Sequence, residues 1–223
     1  MRKKLLAAVT LLGLSGLAVP AFADPAISVG PLSEGTNFGT GNSNINWTIA
    51  SASGFELGLQ VAMRSVVGPP PAPIGTTGVY DVPAGGQEAN GSSAWGISYS
   101  VFDSTGLPSG DTYNVIVTDT ATNTTTMFDP SPATITDDTL TANNEGTGFQ
   151  NSEAISFGFV DPNYNPNISD TFDITLQALN AQGVVVDSDQ ITVQTPEPVS
   201  MSLMGVGLFG MAMARRKVKK AKV

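Results

Sequence analysis

The side chains through which this chain could do chemistry are oxygen donors. The segment DPNYNPNISD sets Asp161, Asn163, Asn165 and Asn167 at alternate positions, a spacing like the first half of an EF-hand calcium loop. The sixth position is Pro166, where the sharp turn needs glycine, and the twelfth is Phe172, where a bidentate glutamate belongs, so an EF-hand is excluded. Two readings stay open: a looser calcium site on Asp161 and Asp170 with neighbouring carbonyls, or an Asn/Pro-rich turn that holds no ligand. Asp137-Asp138 and the Asp187/Asp189 pair read as solvated acidic faces. Trp47 and Trp95 are of the type that stacks on sugar rings, but both alternate in phase with apolar neighbours and read as core. Tyr80 and Tyr164 lie in turn-rich stretches and are the better candidates for exposed aromatics.

Missing residue types narrow the chemistry further. There is no cysteine and no histidine, so disulfides, thiolate metal sites, and Ser-His-Asp or Cys-His triads cannot form. A carboxylate pair for glycoside hydrolysis remains chemically allowed, yet no motif singles one out. The expectation is a protein that is not an enzyme and requires no cofactor, calcium being the one ligand left open. Nine of the ten basic residues lie at the two ends, and Arg64 is the exception. Asp24 to Thr195 carries eighteen carboxylates against that one arginine, a formal charge of −17. Such a surface repels phosphate, which excludes nucleic acid as a partner.

Strands are the elements that must position these groups. FELGLQVAM, AWGISYSVF, DTYNVIV, AISFGF and TFDITLQA all alternate apolar and polar residues, the signature of half-buried antiparallel strands. The run GVVVDSDQITV returns after Asn180-Ala181-Gln182-Gly183, a turn suited to a hairpin. VVGPPPAPIGTTG reads as an extended connection and DPSPATITDDTLTANNEGTG as a long polar loop. The fold expected for residues 24–194 is an all-β, antiparallel β-sandwich of immunoglobulin-like type with eight to ten strands. DTYNVIV and DTFDITL resemble each other, which leaves open two stacked halves or a chance echo between strands.

Both ends read as targeting segments. Residues 1–23 have a basic start at Arg2 to Lys4, an apolar run from Leu5 to Val19 and a small-x-small site at Ala21-Phe22-Ala23, the three zones of a secretory signal peptide. Near the other end, Val199 to Ala214 is uncharged for sixteen residues, and six of the next eight are basic. As a helix that run would measure about 24 Å, short of the ~30 Å hydrocarbon core. Arg215, Arg216 and Lys217 behind it (basic tail 215–222) act as a stop signal that stays cytoplasmic and leaves the acidic body outside.

The order Pro196-Glu197-Pro198, short Gly-containing apolar span, then Arg-Arg block resembles the PEP-CTERM sorting signal, here over 195–223, with Thr195 where the usual motif has valine. The resemblance implies an exosortase-type membrane protease as partner and a transient stay in the inner membrane of a Gram-negative bacterium. Release to the cell surface or the extracellular polysaccharide would follow. The resulting expectation is an exported, non-catalytic surface or matrix protein associated with exopolysaccharide or biofilm. The alternative is a carbohydrate- or calcium-binding β-sandwich module with a defined ligand site.

Overall fold

The computed structural model describes residues 27–33, 43–52, 54–64, 70–76, 78–82, 93–106, 110–132, 134–135, 141–142 and 147–195. Among them are eleven strands and no helix: β1 Ser28–Gly30, β2 Trp47–Ala52, β3 Phe55–Met63, β4 Val79–Asp81, β5 Trp95–Asp103, β6 Thr112–Asp119, β7 Thr124–Phe128, β8 Thr141–Ala142, β9 Gly148–Ala154, β10 Asp170–Leu179 and β11 Val185–Thr195. They form a six-stranded sheet ordered β1-β2-β3-β5-β9-β8 and a five-stranded sheet ordered β4-β11-β10-β6-β7.

The two sheets close on one core, each supplying the alternate residues that the period-two pattern points inward. From the six-stranded sheet come Leu57, Leu59, Val61, Trp95, Ile97, Tyr99, Val101 and Phe149; from the other, Tyr113, Val115, Val117, Phe172, Ile174, Leu176, Ile191 and Val193. β10 shows the alternation most cleanly, with every second residue buried from Asp170 to Ala178. Burial of this apolar area, at about 25 cal/mol per Å², is the main force holding the layers together. Aromatic edges tighten the contact, as where Trp95 meets Phe172 across the layers with ring centroids 5.3 Å apart. A small second core of Leu32, Trp47 and Ile49 is separate from the main one. Gly58 lies beneath it, where an added Cβ would stand 2.7 Å from Leu32 Cδ2 and displace that side chain.

The hairpin at Asn180–Gly183 forms as the sequence predicts. Asn180 N–H donates to Val184 at 2.9 Å, Gly183 N–H donates back to Asn180 at 2.8 Å, and Gly183 adopts φ +74°. The similar segments DTYNVIV and DTFDITL are adjacent partners, since β6 and β10 pair antiparallel from Phe172↔Asp119 to Leu179↔Thr112. They belong to one sheet around one core, so the echo reflects neighbouring strands in a shared environment.

Three expectations need correction: the described residues hold eleven strands against the eight to ten expected, because the short β1, β4 and β8 add to the long ones. The strand predicted over AISFGF lies earlier, at 148–154, because the chain turns directly after it. Phe157 N–H bonds to Ala154, and Val160 and Asp161 N–H both bond to Phe157. Ile155 is buried, but Phe159 is exposed. The body is also not wholly antiparallel, since β4 pairs parallel with β11 at Thr192↔Val79. The chain passes from β3 in one sheet to β4 in the other and enters that sheet's edge running with β11.

Candidate functional site

At one end of the five-stranded sheet three carboxyl groups meet. Asp119 ends β6 and is the register partner of Phe172, and Asp170 stands two residues before Phe172 on the same inward face of β10. Asp161 arrives on the connection between β9 and β10, which lies across β7. Thr126 Oγ1 donates to the Val160 carbonyl, and Asn163 Nδ2 donates to Thr124 Oγ1 at 2.8 Å. Asp119, Asp161 and Asp170 are 1%, 2% and 8% exposed. Each has one oxygen well served by backbone: Asp119 Oδ1 accepts from Thr122 at 2.9 Å, Asp161 Oδ1 from Asn163 at 3.0 Å, and Asp170 Oδ1 from Ala121 at 3.0 Å. The Oδ2 atoms of Asp119 and Asp161 are buried with no donor facing them. The negative charge of Asp119 pushes the carboxyl groups of Asp161 and Asp170 upward.

Burial raises the Asp170 carboxyl to about 6, with a further upward push from Asp119, against backbone hydrogen bonds from Thr171 and Ala121 that lower it. Burial likewise raises Asp161, with Asp119 adding to the effect. A carboxyl group raised on folding binds more protons in the native than in the unfolded state between its two pKa values. Its stabilising contribution is therefore complete below the unfolded value and lost as pH rises through the folded one. In chelator, the melting temperature should fall as pH rises from about 4 to about 6. Asp170→Asn should flatten that slope, a change of about 1 kcal/mol once solvent screening at this end of the sheet is allowed for. Melting curves across the window measure it, and an unchanged slope in Asp170→Asn would assign the pH dependence elsewhere.

Beside the cluster, Phe128, Asp129, Thr134, Ile135, Glu153, Phe157 and Phe159 line an open groove of about 410 Å³. Phe128 and Phe159 meet edge to face at 5.3 Å, Arg64 caps Phe157 at 5.7 Å from the ring centroid, and Phe159 is 46% exposed. The aromatics that the sequence proposed as exposed are placed otherwise. Tyr80 is fully buried, its hydroxyl donating to Asn46 O at 2.7 Å, and desolvation raises its pKa to about 12. Tyr164 is half-buried and packs edge-on to Trp95 at 6.3 Å. Trp47 and Trp95 are core.

The same end of the molecule is where the chain leaves the sheet. Thr195 is the register partner of Asp170, its Oγ1 accepts from Asp170 N–H at 2.9 Å, and Ser169 Oγ donates to its carbonyl at 3.0 Å. β11 thus runs one residue into the segment 195–223. Residues 194–217 match the family model described as the PEP-CTERM protein-sorting motif. The chain carries a PEP-CTERM sorting motif. That motif implies export, transient anchoring in a membrane and processing by an exosortase, a membrane protease. It begins on the last two residues of β11, a strand flanked on both sides by β4 and β10, so no linker separates the PEP-CTERM motif from the folded body. No curated protein matches the chain.

The PEP-CTERM residues Pro196, Glu197 and Pro198, the apolar run 199–214 and the basic residues Arg215, Arg216 and Lys217 lie outside the described residues, as do Ala21 and Ala23 of the signal peptide expected over 1–23 and the Asp137-Asp138 pair. No helix among the described residues is long and apolar enough to cross a membrane. Asp161 and Asp170 both stand against Asp119, which the sequence reading did not single out. Among the described residues no three acidic side chains are placed where they could hold a metal ion together. Asp187 and Asp189 correct the solvated-face reading. Both are buried and reach across the core to the other sheet, accepting from Ala52 N–H and Leu59 N–H, each at 2.9 Å.

Proposed function

We propose that this is an exported, non-catalytic surface or matrix protein, led out by the signal peptide of residues 1–23 and released among extracellular polysaccharide through its PEP-CTERM motif. The observation that carries the reading is the match at 194–217, contiguous with the last residue of β11. Pro196 has no amide hydrogen to donate to a ladder, and prolines at 196 and 198 disfavour helix in the motif, which suits it to a protease. A cut beyond Thr195 leaves every paired residue of β11 in place, and the released product keeps its fold. The immunoglobulin-like assignment of the body belongs to the same proposal and draws on its two-layer, all-β build. The absence of histidine and cysteine from the sequence supports a binding or scaffolding role over catalysis.

The test is the intact mass of the protein recovered from the cell surface or medium. The expected species starts at Asp24 and lacks Met201 to Val223. A surface species that retains those residues would make the tail a lasting anchor and overturn the sorting reading.

One observation favours a second reading, a carbohydrate-binding module. The groove of Phe128, Phe157 and Phe159 beside Asp129 and Glu153 joins ring faces to carboxylates, the combination that sugar C–H and O–H groups engage. A glycan array with wild type and Phe159→Ala separates the readings. Binding lost in the variant supports the module, and no glycan binding leaves the scaffold reading.

A further inference from the structure

We infer that the end of the sandwich formed by turns 120–123 and 162–169 is a docking surface for the membrane protease that reads the PEP-CTERM motif. The inference rests on the sorting reading above and adds to it a second contact, made by the body itself. Distance comes first. From Thr195, the last residue of β11, to Val199, the first of the uncharged run, the chain can reach at most about 14 Å when fully extended. With that run starting at the edge of the hydrocarbon, the headgroup layer takes up about 5–7 Å of the reach. The gap left, under ~9 Å, is narrower than one helix with its side chains, about 10–12 Å. No layer of protein fits between body and bilayer. A protease must therefore come to the motif from the side, against the end of the sandwich.

The contacts of Thr195 show which surface it meets. The carbonyl of the Thr195–Pro196 peptide bond accepts from Ser169 Oγ at 3.0 Å, and Thr195 Oγ1 accepts from the Asp170 N–H at 2.9 Å. A partner that closes on Pro196 thus stands beside the 162–169 turn. Ile168, next to Ser169, is a large apolar side chain left 36% exposed there. Turn 120–123 lies alongside. Thr120 N–H donates to the Thr171 carbonyl and Ala121 N–H to Asp170 Oδ1, both at 3.0 Å. Asn163 Nδ2, donating to Thr124 Oγ1 at 2.8 Å, ties the two turns into one surface.

Charge fits the same partner. A body of formal charge −17 is repelled by an anionic bilayer surface. Yet neither turn carries a charged residue, and the acids that flank them, Asp119, Asp161 and Asp170, are buried. Each spends an oxygen on turn backbone, accepting from Thr122, Asn163 and Ala121 N–H respectively. The acids shape the turns from beneath and leave the surface neutral. On the other flank of β11, Asp81 of β4 is exposed and is the register partner of Gln194. The amide- and hydroxyl-bearing face on the β10 side is the one that can press closely on a protein held at the membrane.

The experiment follows the full chain by pulse-chase in cells that process it, with intact mass identifying the product. Ile168→Asp and, separately, Asn167→Asp place a charge on the face at exposed positions. Each should slow processing at least about fivefold, the scale on which a contributing interface residue acts. A flexible insert of about twelve Gly/Ser residues between Thr195 and Pro196 spans about 20 Å on average and frees the motif from the body. Behind that insert, both variants should be processed as fast as the wild-type face. The released variant bodies should melt with wild type, which separates docking from folding. A wild type that keeps Met201 to Val223 would remove the sorting reading itself. A processed wild type with neither variant slowed would overturn the docking alone. Slowing that persists behind the insert would assign the effect to folding or export and overturn it too. Co-sedimentation of the released body with vesicles of phosphatidylethanolamine and phosphatidylglycerol, lost in Ile168→Asp, would give the face to lipid in place of the protease.

Discussion

Asp189→Ala should cost this protein about 3 kcal/mol of stability at pH 5, more than loss of an exposed acid could. Asp189 is fully buried on β11, and its two oxygens are divided between two backbone donors. Oδ1 takes the Gln190 N–H of its own strand, and Oδ2 takes the Leu59 N–H of β3 in the opposite sheet, both at 2.9 Å. Alanine would leave the Leu59 amide buried without its partner between the layers, with a small cavity beside it. An unsatisfied buried donor costs about 1–3 kcal/mol, and each neutral hydrogen bond lost is worth about 0.5–1.5 kcal/mol. Desolvation raises the Asp189 carboxyl well above the ordinary range, so relief of a buried charge enters only at higher pH. A raised carboxyl stabilises most in acid, so the cost of Asp189→Ala should shrink as pH rises. Asp189→Asn keeps one oxygen for Leu59 and should cost about 1 kcal/mol. Urea midpoints give the magnitudes, and hydrogen exchange at the Leu59 amide locates the effect. A loss below about 0.5 kcal/mol in Asp189→Ala would place this carboxylate with ordinary surface acids.

Asp189 also shows where the sequence could be read and where it was misread. The strand centres were legible because their apolar residues alternate: β3, β5 and β10 coincide closely with FELGLQVAM, AWGISYSVF and TFDITLQA. The same alternation, carried two residues past the apolar run, puts acids inside. Val117 leads to Asp119, Val101 to Asp103, Phe172 back to Asp170, and Ile191 back to Asp189 and Asp187, and all five acids are buried. Taking acids as solvated by type overrode the phase of the strand. The phase was the better guide, because a strand that pairs to its end cannot turn one residue outward.

Other features were not legible at all. β4, three residues long, and β8, two residues long, carry too few positions for a period to show. The meeting of Asp161 with Asp119 depends on a connection folding back across β7, where Thr124 and Thr126 receive it. No spacing in the chain encodes that contact. The groove beside it arises because Phe157 and Phe159 leave the strand pattern at a turn, so apolar residues that looked like core line an open surface.

Replacing Pro196 and Pro198 together with alanine should convert a released protein into a retained one. Thr195, the last residue of β11, is held by Asp170 and Ser169. From there to the uncharged run that starts at Val199 the chain has only Pro196, Glu197 and Pro198. Proline at 198 disfavours helical geometry at Glu197, and proline at 196 does the same at Thr195. With both present, proline chemistry disfavours helix across Pro196-Glu197-Pro198, which should keep the motif accessible to a protease. With alanine at both positions, helix can propagate back toward Thr195, at no propensity cost compared with about 3 kcal/mol for an interior proline. The motif would then be withdrawn into hydrogen-bonded backbone at the membrane face, and the full-length chain should accumulate in the membrane fraction with its body outside. Neutral substitutions at Arg215, Arg216 and Lys217 should act differently. Loss of the cytoplasmic positive charge weakens the stop, so part of the population should show its C-terminus to an external protease. Intact mass and fractionation decide the first variant, and protease access to a C-terminal tag decides the second. The proline variant's appearance in the medium at the wild-type processed mass would mean that the protease does not require the extended backbone at Pro196-Glu197-Pro198, and the motif would have to be read through Glu197 or the apolar run alone.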